Sequence, residues 1–153
     1  MPFADGWVAV VRADPYRVEW LTRDGLWIRG APLPFQSIRV DDKEKRAYLE
    51  RSAAAVGKDS SPRDSITDWP STLPPYRSPI VLLAAPDGRL LVPRLPAADR
   101  PETRYDVVNR RGTLDGQLVL SPNERIAGVG ASSVYVAVSD DDGIQRIRRH
   151  AWR

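Results

Sequence analysis

Apolar and polar positions alternate along most of this chain in short stretches, and the stretches are separated by polar turns that end in glycine. One such unit reads Gly6-Trp-Val-Ala-Val-Val-Arg-Ala13 and then Val18-Glu-Trp-Leu-Thr-Arg-Asp-Gly25-Leu-Trp27. It returns as Gly88-Arg-Leu-Leu-Val-Pro-Arg-Leu95 and then Tyr105-Asp-Val-Val-Asn-Arg-Arg-Gly112-Thr-Leu114. A partial copy runs from Ser133-Val-Tyr-Val-Ala-Val-Ser139 through Asp140-Asp-Asp-Gly143 to Ile144. Period-two alternation of this kind predicts strands with one face turned to a core.

Strands are predicted over 7–11 and 16–21, joined through Asp14-Pro15, with a Thr22-Arg23-Asp24-Gly25 turn into a third strand from Leu26 that Pro32 and Pro34 end. Asp41 is expected to cap one helix, with Glu44 at the capping-box spacing and Leu49, Ala53 and Val56 as a narrow apolar stripe before Gly57. Residues 57–79 read as a long loop, pinned by Ile66, Trp69, Leu73 and Tyr76. Four strands follow over 80–85, 90–95, 104–109 and 113–120, then three over 125–129, 134–138 and 144–152. Val81, Leu83, Leu91, Val107, Val129 and Val136 are expected to be buried, because sheets stacked on one another hide both faces.

Repeats of roughly 45 residues, each a set of short strands, are the signature of β-propeller blades. The predicted fold class is therefore all-β: a partial propeller of about three four-stranded antiparallel blades with one short helix insertion. The chain reads as a single domain over 1–153, with a blade over 1–40, the helix and long loop over 41–79, a blade over 80–120 and an incomplete blade over 121–153. The first blade lacks an inner strand and the last lacks an outer one. Since closed propellers need about four to eight blades, the chain is expected to be part of a longer propeller or of a ring made by two copies.

Charge and composition narrow the function classes. Lys and Arg number 23 against 20 Asp and Glu, so the net charge is +3 and the two signs are interspersed. That balance argues against nucleic acid as a partner. With no cysteine, disulfide frameworks, thiolate catalysis and cysteine-based zinc sites are excluded. No apolar run approaches the length of a membrane helix, and the first residues, Met1-Pro-Phe-Ala-Asp-Gly6, do not read as an export signal.

Candidate chemistry is sparse. The single histidine, His150, stands among Arg148, Arg149 and Arg153, and reads as a solvated strand residue rather than a triad member. Asp140, Asp141 and Asp142 are the sharpest acidic cluster and the candidate ligands for Ca²⁺. They lack the alternating spacing and distal Glu of a calcium loop, so a tight hairpin turn explains them better, as it does Asp24 and Asp87. Asn109, Asn123 and Glu124 read as turn and strand-end residues. The run from Arg146 to Arg153 reads as a charged edge strand, and Trp7, Trp20 and Trp27 as core between blades. Trp69 and Tyr76 are the candidate partner-binding aromatics, with docking onto the blades as the plainer reading.

The inner-strand hairpin Pro86-Asp-Gly-Arg-Leu-Leu-Val92, the turn Tyr105-Asp-Val-Val-Asn-Arg-Arg-Gly112 and the segment Val134-Tyr-Val-Ala-Val-Ser-Asp-Asp-Asp-Gly-Ile144 together resemble the TolB/NHL-like six-bladed β-propellers, most closely uncharacterised bacterial proteins of that type. The resemblance covers nearly the whole chain, in its C-terminal-half form, and rests on blade grammar rather than on a catalytic signature. It implies a periplasmic or extracellular setting. The chain is accordingly expected to be a non-enzymatic binding or scaffold module that takes a protein, peptide or small ligand on a propeller face, with no cofactor, although the resemblance itself bears on fold more than on function. The alternative it carries is a metal-dependent hydrolase or lactonase, whose central metal would need ligands from blades all around the ring.

Overall fold

The computed structural model describes residues 1–56, 68–76, 81–140 and 142–152. The described residues form four antiparallel sheets, three of them stacked face to face, the architecture of an all-β partial propeller. The first sheet holds β1 (Val8–Ala13), β2 (Tyr16–Leu21) and β3 (Trp27–Arg29). Two short strands, β4 (Ile38–Arg39) and β5 (Thr72–Leu73), pair on either side of helix α1 (Asp42–Val56). The middle sheet holds β6 (Leu83–Ala84), β7 (Leu90–Pro93), β8 (Thr103–Val108) and β9 (Leu114–Leu120), in that order. The last holds β10 (Glu124–Val129), β11 (Ser133–Ser139) and β12 (Gln145–Ala151). Among the described residues only the middle sheet has four strands.

Strand alternation places the core. On β7, Leu90 and Val92 point toward the first sheet and pack with Ala9, Val18 and Trp20, while Leu91 points the other way, onto Ala85 and Val107 and toward Ile126 of the last sheet. All three β7 side chains are fully buried. A run of apolar residues with no polar alternation is what a strand covered on both faces requires. At about 1.5–3 kcal/mol for each fully buried aliphatic side chain, this strand is a strong contributor to the stack. Leu120, Val134 and Val136 close the second interlayer core.

The first two layers are also locked by backbone. Gly112, in the β8–β9 turn at φ 74°, lies against Gly30, and a Cβ on Gly112 would overlap the Gly30 Cα. The Trp20 indole N–H donates to the Asn109 carbonyl at 2.9 Å across the same contact.

Several expectations need correction. Val81 is 72% exposed, because the strand predicted over 80–85 pairs with β7 only at Leu83 and Ala84 and leaves Val81 with no neighbouring strand. Leu83 and Val129 are half-buried, whereas Leu91, Val107 and Val136 are buried as expected. Trp27 is 57% exposed, since its register with Leu21 sets it on the outer face of the first sheet. The capping box does not form as such. The Asp41 carboxylate caps α1 by accepting from the Glu44 backbone N–H at 2.9 Å, and that bond holds its pKa below the ordinary value. The Glu44 side chain is buried instead and accepts from the Ala98 N–H. Leu49 and Ala53 are half-buried.

The edge of β1 is not bare. Ala9 N–H donates to the Met1 carbonyl at 2.8 Å and the Met1 ammonium donates to the Ala9 carbonyl at 2.9 Å, so the first residues form a stub of the inner strand. Much of the 57–79 loop, including Ile66, lies outside the described residues. In its described part Trp69 stacks edge-on against Tyr48 at 5.5 Å, Leu73 is buried, and the Tyr76 hydroxyl donates to the Val11 carbonyl at 3.1 Å. Both aromatics thus dock on the chain itself.

Candidate functional site

The most polar feature of the interior is built on β8. Alternation turns Asp106 toward the first sheet, where it is 1% exposed. Such a carboxylate must be hydrogen-bonded to be tolerated, and three donors reach it. The Tyr16 hydroxyl, at the start of β2, donates to Oδ2 at 2.7 Å. Arg94 Nη1, just past β7, donates to the same oxygen at 2.9 Å. Gln117 Nε2, opposite Asp106 in the β8–β9 register, donates to Oδ1 at 2.7 Å. Burial pushes the Tyr16 phenol pKa far up, and the neighbouring carboxylate adds to the shift, so the hydroxyl stays protonated as a donor. The Arg94 guanidinium lies 4.9 Å from the Tyr16 ring centre and 4.8 Å from that of Phe35.

Arg94 forms part of the wall of an open cleft of about 380 Å³ between the β3–β4 connection and the β7–β8 connection. Phe35, Ile38 and Leu95 give it an apolar side, and Arg100, Arg104 and Gln117 a polar one. Arg104 is paired with Glu102 through Nη2, while its Nε is buried with no hydrogen-bond partner among the described residues. A second cleft of about 430 Å³ opens between β9 and β12. There the Arg89 guanidinium lies 4.3 Å over the Trp152 ring and bridges to Asp87 at 2.6 Å.

A second cationic anchor sits at the other end of the first interface. Arg110, in the β8–β9 turn, inserts among three rings, with its guanidinium carbon 4.2 Å from Phe3, 4.5 Å from Trp20 and 4.7 Å from Trp7. Asp5 closes the cage with an ion pair at 2.9 Å. The chain thus fills an aromatic cage with its own arginine. On the outer face of the first sheet, Glu19 is buried beneath Arg12, Arg17 and Arg29 at 3.1, 2.7 and 3.4 Å. Burial alone would raise its pKa, but the hydrogen bonds from Arg12 and Arg17 outweigh that and hold it below the ordinary value.

The residues singled out from sequence do not converge. His150 is exposed on β12 opposite Val134 and makes no hydrogen bond to a carboxylate among the described residues. Asp140 spends its carboxylate on the hairpin turn, accepting from the Ile144 N–H at 2.8 Å. Asp142 is exposed, and Asp141 lies outside the described residues. Among the described residues no three His, Cys, Asp or Glu gather as a metal site. Asn109 organises its own turn, accepting from the backbone of Arg111 and Thr113. Asn123 holds the Ser139 carbonyl, and Glu124 accepts from the Ser121 N–H. β12 is exposed along its whole length, with Arg146, Arg148 and Arg149 on it, as a guarded edge strand should be.

Sequence reasoning missed Arg94, Asp106 and Arg110. Arg110 carried a faint signal, an arginine in a turn whose glycine must approach backbone closely. Asp106 carried another, an acid in the middle of an otherwise apolar strand. In comparison with known proteins, no family model, no curated protein and no solved structure matches the chain. Among the described residues no helix is long and apolar enough to cross a membrane.

Proposed function

We propose that the chain is a non-enzymatic binding or scaffold module of β-propeller type, of the TolB/NHL-like kind, that works through the outer faces of its sheet stack. The observation that supports this reading is that each of those faces carries exposed apolar side chains, Trp27 on one and Tyr135 and Ile147 on the other. On the first sheet the exposed Trp27 forms one cross-strand row on the outer face with the half-buried Val8 and Leu21. On the last sheet Tyr135 and the 61% exposed Ile147 share the outer face. A blade in a ring has a neighbour on each face, and apolar rows there are templates for association.

A second copy of the chain is one occupant this reading supplies, the outer face of the first sheet meeting that of its partner's last sheet. Both faces carry arginines, namely Arg12, Arg17 and Arg29 on one and Arg125 and Arg149 on the other, with Glu19 the acid between the first three. Like charges then face each other, so self-association strengthens as salt screens them. Light scattering across protein and salt concentration tests this. The expected result is a dimer of the 17.1 kDa chain that grows with salt and is lost in both Trp27→Lys and Ile147→Lys. A cooperatively melting monomer at every concentration and salt level would sink the reading.

A further inference from the structure

We propose that the cleft beside Arg94 is a binding site for an organic carboxylate attached to an apolar body. This goes beyond the scaffold reading, because it concerns the end of the first interlayer contact and not the outer faces.

Three observations carry it. First, Arg94 is preorganised. Its guanidinium is flanked by the Tyr16 and Phe35 rings and tied to the buried Asp106, which is itself fixed by Tyr16 and Gln117. Among the described residues both hydrogen bonds of the Arg94 guanidinium run through Nη1, to Asp106 at 2.9 Å and to the Pro34 carbonyl at 3.5 Å. The other nitrogens of the fork make no hydrogen bond among the described residues, and the residue forms part of the cleft wall. A rigid guanidinium with free parallel donors fits the two oxygens of a carboxylate.

Second, the Arg104 Nε on the same cleft is buried and has no acceptor among the described residues. An orphaned buried donor of this kind costs stability unless something accepts from it, and a small turn of the Arg104 side chain, itself 32% exposed, would bring its guanidinium onto an anion in the cleft. Third, the opposite side of the cleft is apolar, with Phe35, Ile38 and Leu95. The local charges select a monoanion. Arg94, Arg100 and Arg104 are offset by Asp106, Asp99 and Glu102, so the site offers directed donors without the strong positive field that a phosphate dianion would reward.

The test is a backbone-amide NMR titration of the whole chain with hydrocinnamate, with its neutral amide hydrocinnamamide, and with N-acetylphenylalanine. The acid is expected to bind with a Kd on the order of 1 mM, as suits a small ligand in an open cleft, and to shift resonances of the 34–38 and 94–104 segments. The neutral amide should bind about tenfold more weakly, the worth of one charge-assisted hydrogen bond. Arg94→Lys, which keeps a cation for Asp106 but loses the fork, and Arg104→Gln should each weaken the acid by about tenfold as well. Tighter binding of N-acetylphenylalanine supports the carboxylate at a peptide C-terminus as the source, and tighter binding of hydrocinnamate supports a free small acid. Should Arg94→Lys fail to fold, Arg104→Gln decides. The proposal is overturned if acid and amide bind alike, if neither binds, or if Arg104→Gln binds the acid as tightly as the parent chain.

Discussion

Replacing Arg110 with alanine should destabilise the chain by about 3 kcal/mol, most of it from the aromatic cage. The guanidinium carbon lies 4.2–4.7 Å from three ring centres, Phe3, Trp20 and Trp7, and Trp20 is fully buried. A desolvated cation over a ring contributes about 2 kcal/mol, and the further rings share the same charge and add less than their number suggests. The buried stem adds about 1 kcal/mol through lost packing. The ion pair to Asp5 contributes little, because that carboxylate is 56% exposed and such pairs are worth about 0–1 kcal/mol. Arg110 Nη1 is buried and has no conventional acceptor among the described residues, which is consistent with donors that face rings rather than oxygens.

Urea titration followed by tryptophan fluorescence measures the loss, since Trp7 and Trp20 line the cage. The midpoint should fall without a change in slope. By heat the same loss appears as a drop of about 6–12 °C for a chain of this size. Arg110→Met, which keeps the stem and loses the charge, should show about two thirds of the loss, and Asp5→Asn less than about 0.5 kcal/mol. The reasoning fails if Asp5→Asn costs as much as Arg110→Ala, because the ion pair would then be the anchor. It also fails if Arg110→Ala costs under about 1 kcal/mol, because the cage would then be incidental.

Gly112→Ala should cost more than about 4 kcal/mol, because the methyl meets Gly30 and the Val18 carbonyl in addition to the strain of φ 74°. Gly25→Ala, at φ 83° with nothing within 4 Å, should cost only the conformational strain of about 1–2 kcal/mol, and thermal melts of the pair compare the two. Val107→Asp should abolish the folded near-ultraviolet circular dichroism, since it sets a charge into the core between the middle and last sheets. The depressed pKa of Glu19 contributes stability that is present above its unfolded value of 4.5 and lost as pH falls through the folded value. Acid titration of stability should accordingly fall less steeply in Glu19→Gln than in the parent chain, and equal slopes would remove Glu19 from the acid limb.

Most of the fold was legible because its signals are local. Four hairpins, β2–β3, β6–β7, β8–β9 and β11–β12, announce themselves in alternation plus a glycine that takes positive φ, and the order of strands follows from chain order alone in antiparallel meanders. β7 could be placed in the middle of the stack from its unbroken apolar run. The misreadings fell where pairing partners, which sequence does not display, set the outcome. Val81 has an apolar side chain but no strand beside it, and Trp27 has the composition of core but the parity of an outer face. The β4–β5 pair joins residues more than thirty positions apart across a helix, and two residues on each side give no periodicity to detect.

The sites were less legible for a related reason. Tyr16 and Asp106 are 90 residues apart, and so close to each other in space only because parity turns both toward the same interlayer space. Arg94 reads in sequence as one more interspersed cation, and nothing in its neighbours reveals that it is held by an acid twelve positions away and by two rings, Tyr16 of the first sheet and Phe35 of the β3–β4 connection. The residues that did stand out, His150 and the Asp140 cluster, did so by rarity and local density, and these measure solvation and turn formation rather than convergence. A stacked-sheet protein concentrates its polar chemistry where layers meet. There a charged residue on an apolar strand is the better guide, because burying it is costly and its partners must lie in the adjoining layer. By that criterion Asp106 is the residue from which the Arg94 cleft could have been sought in sequence: it is the acid inside the otherwise apolar Tyr105–Val108 run.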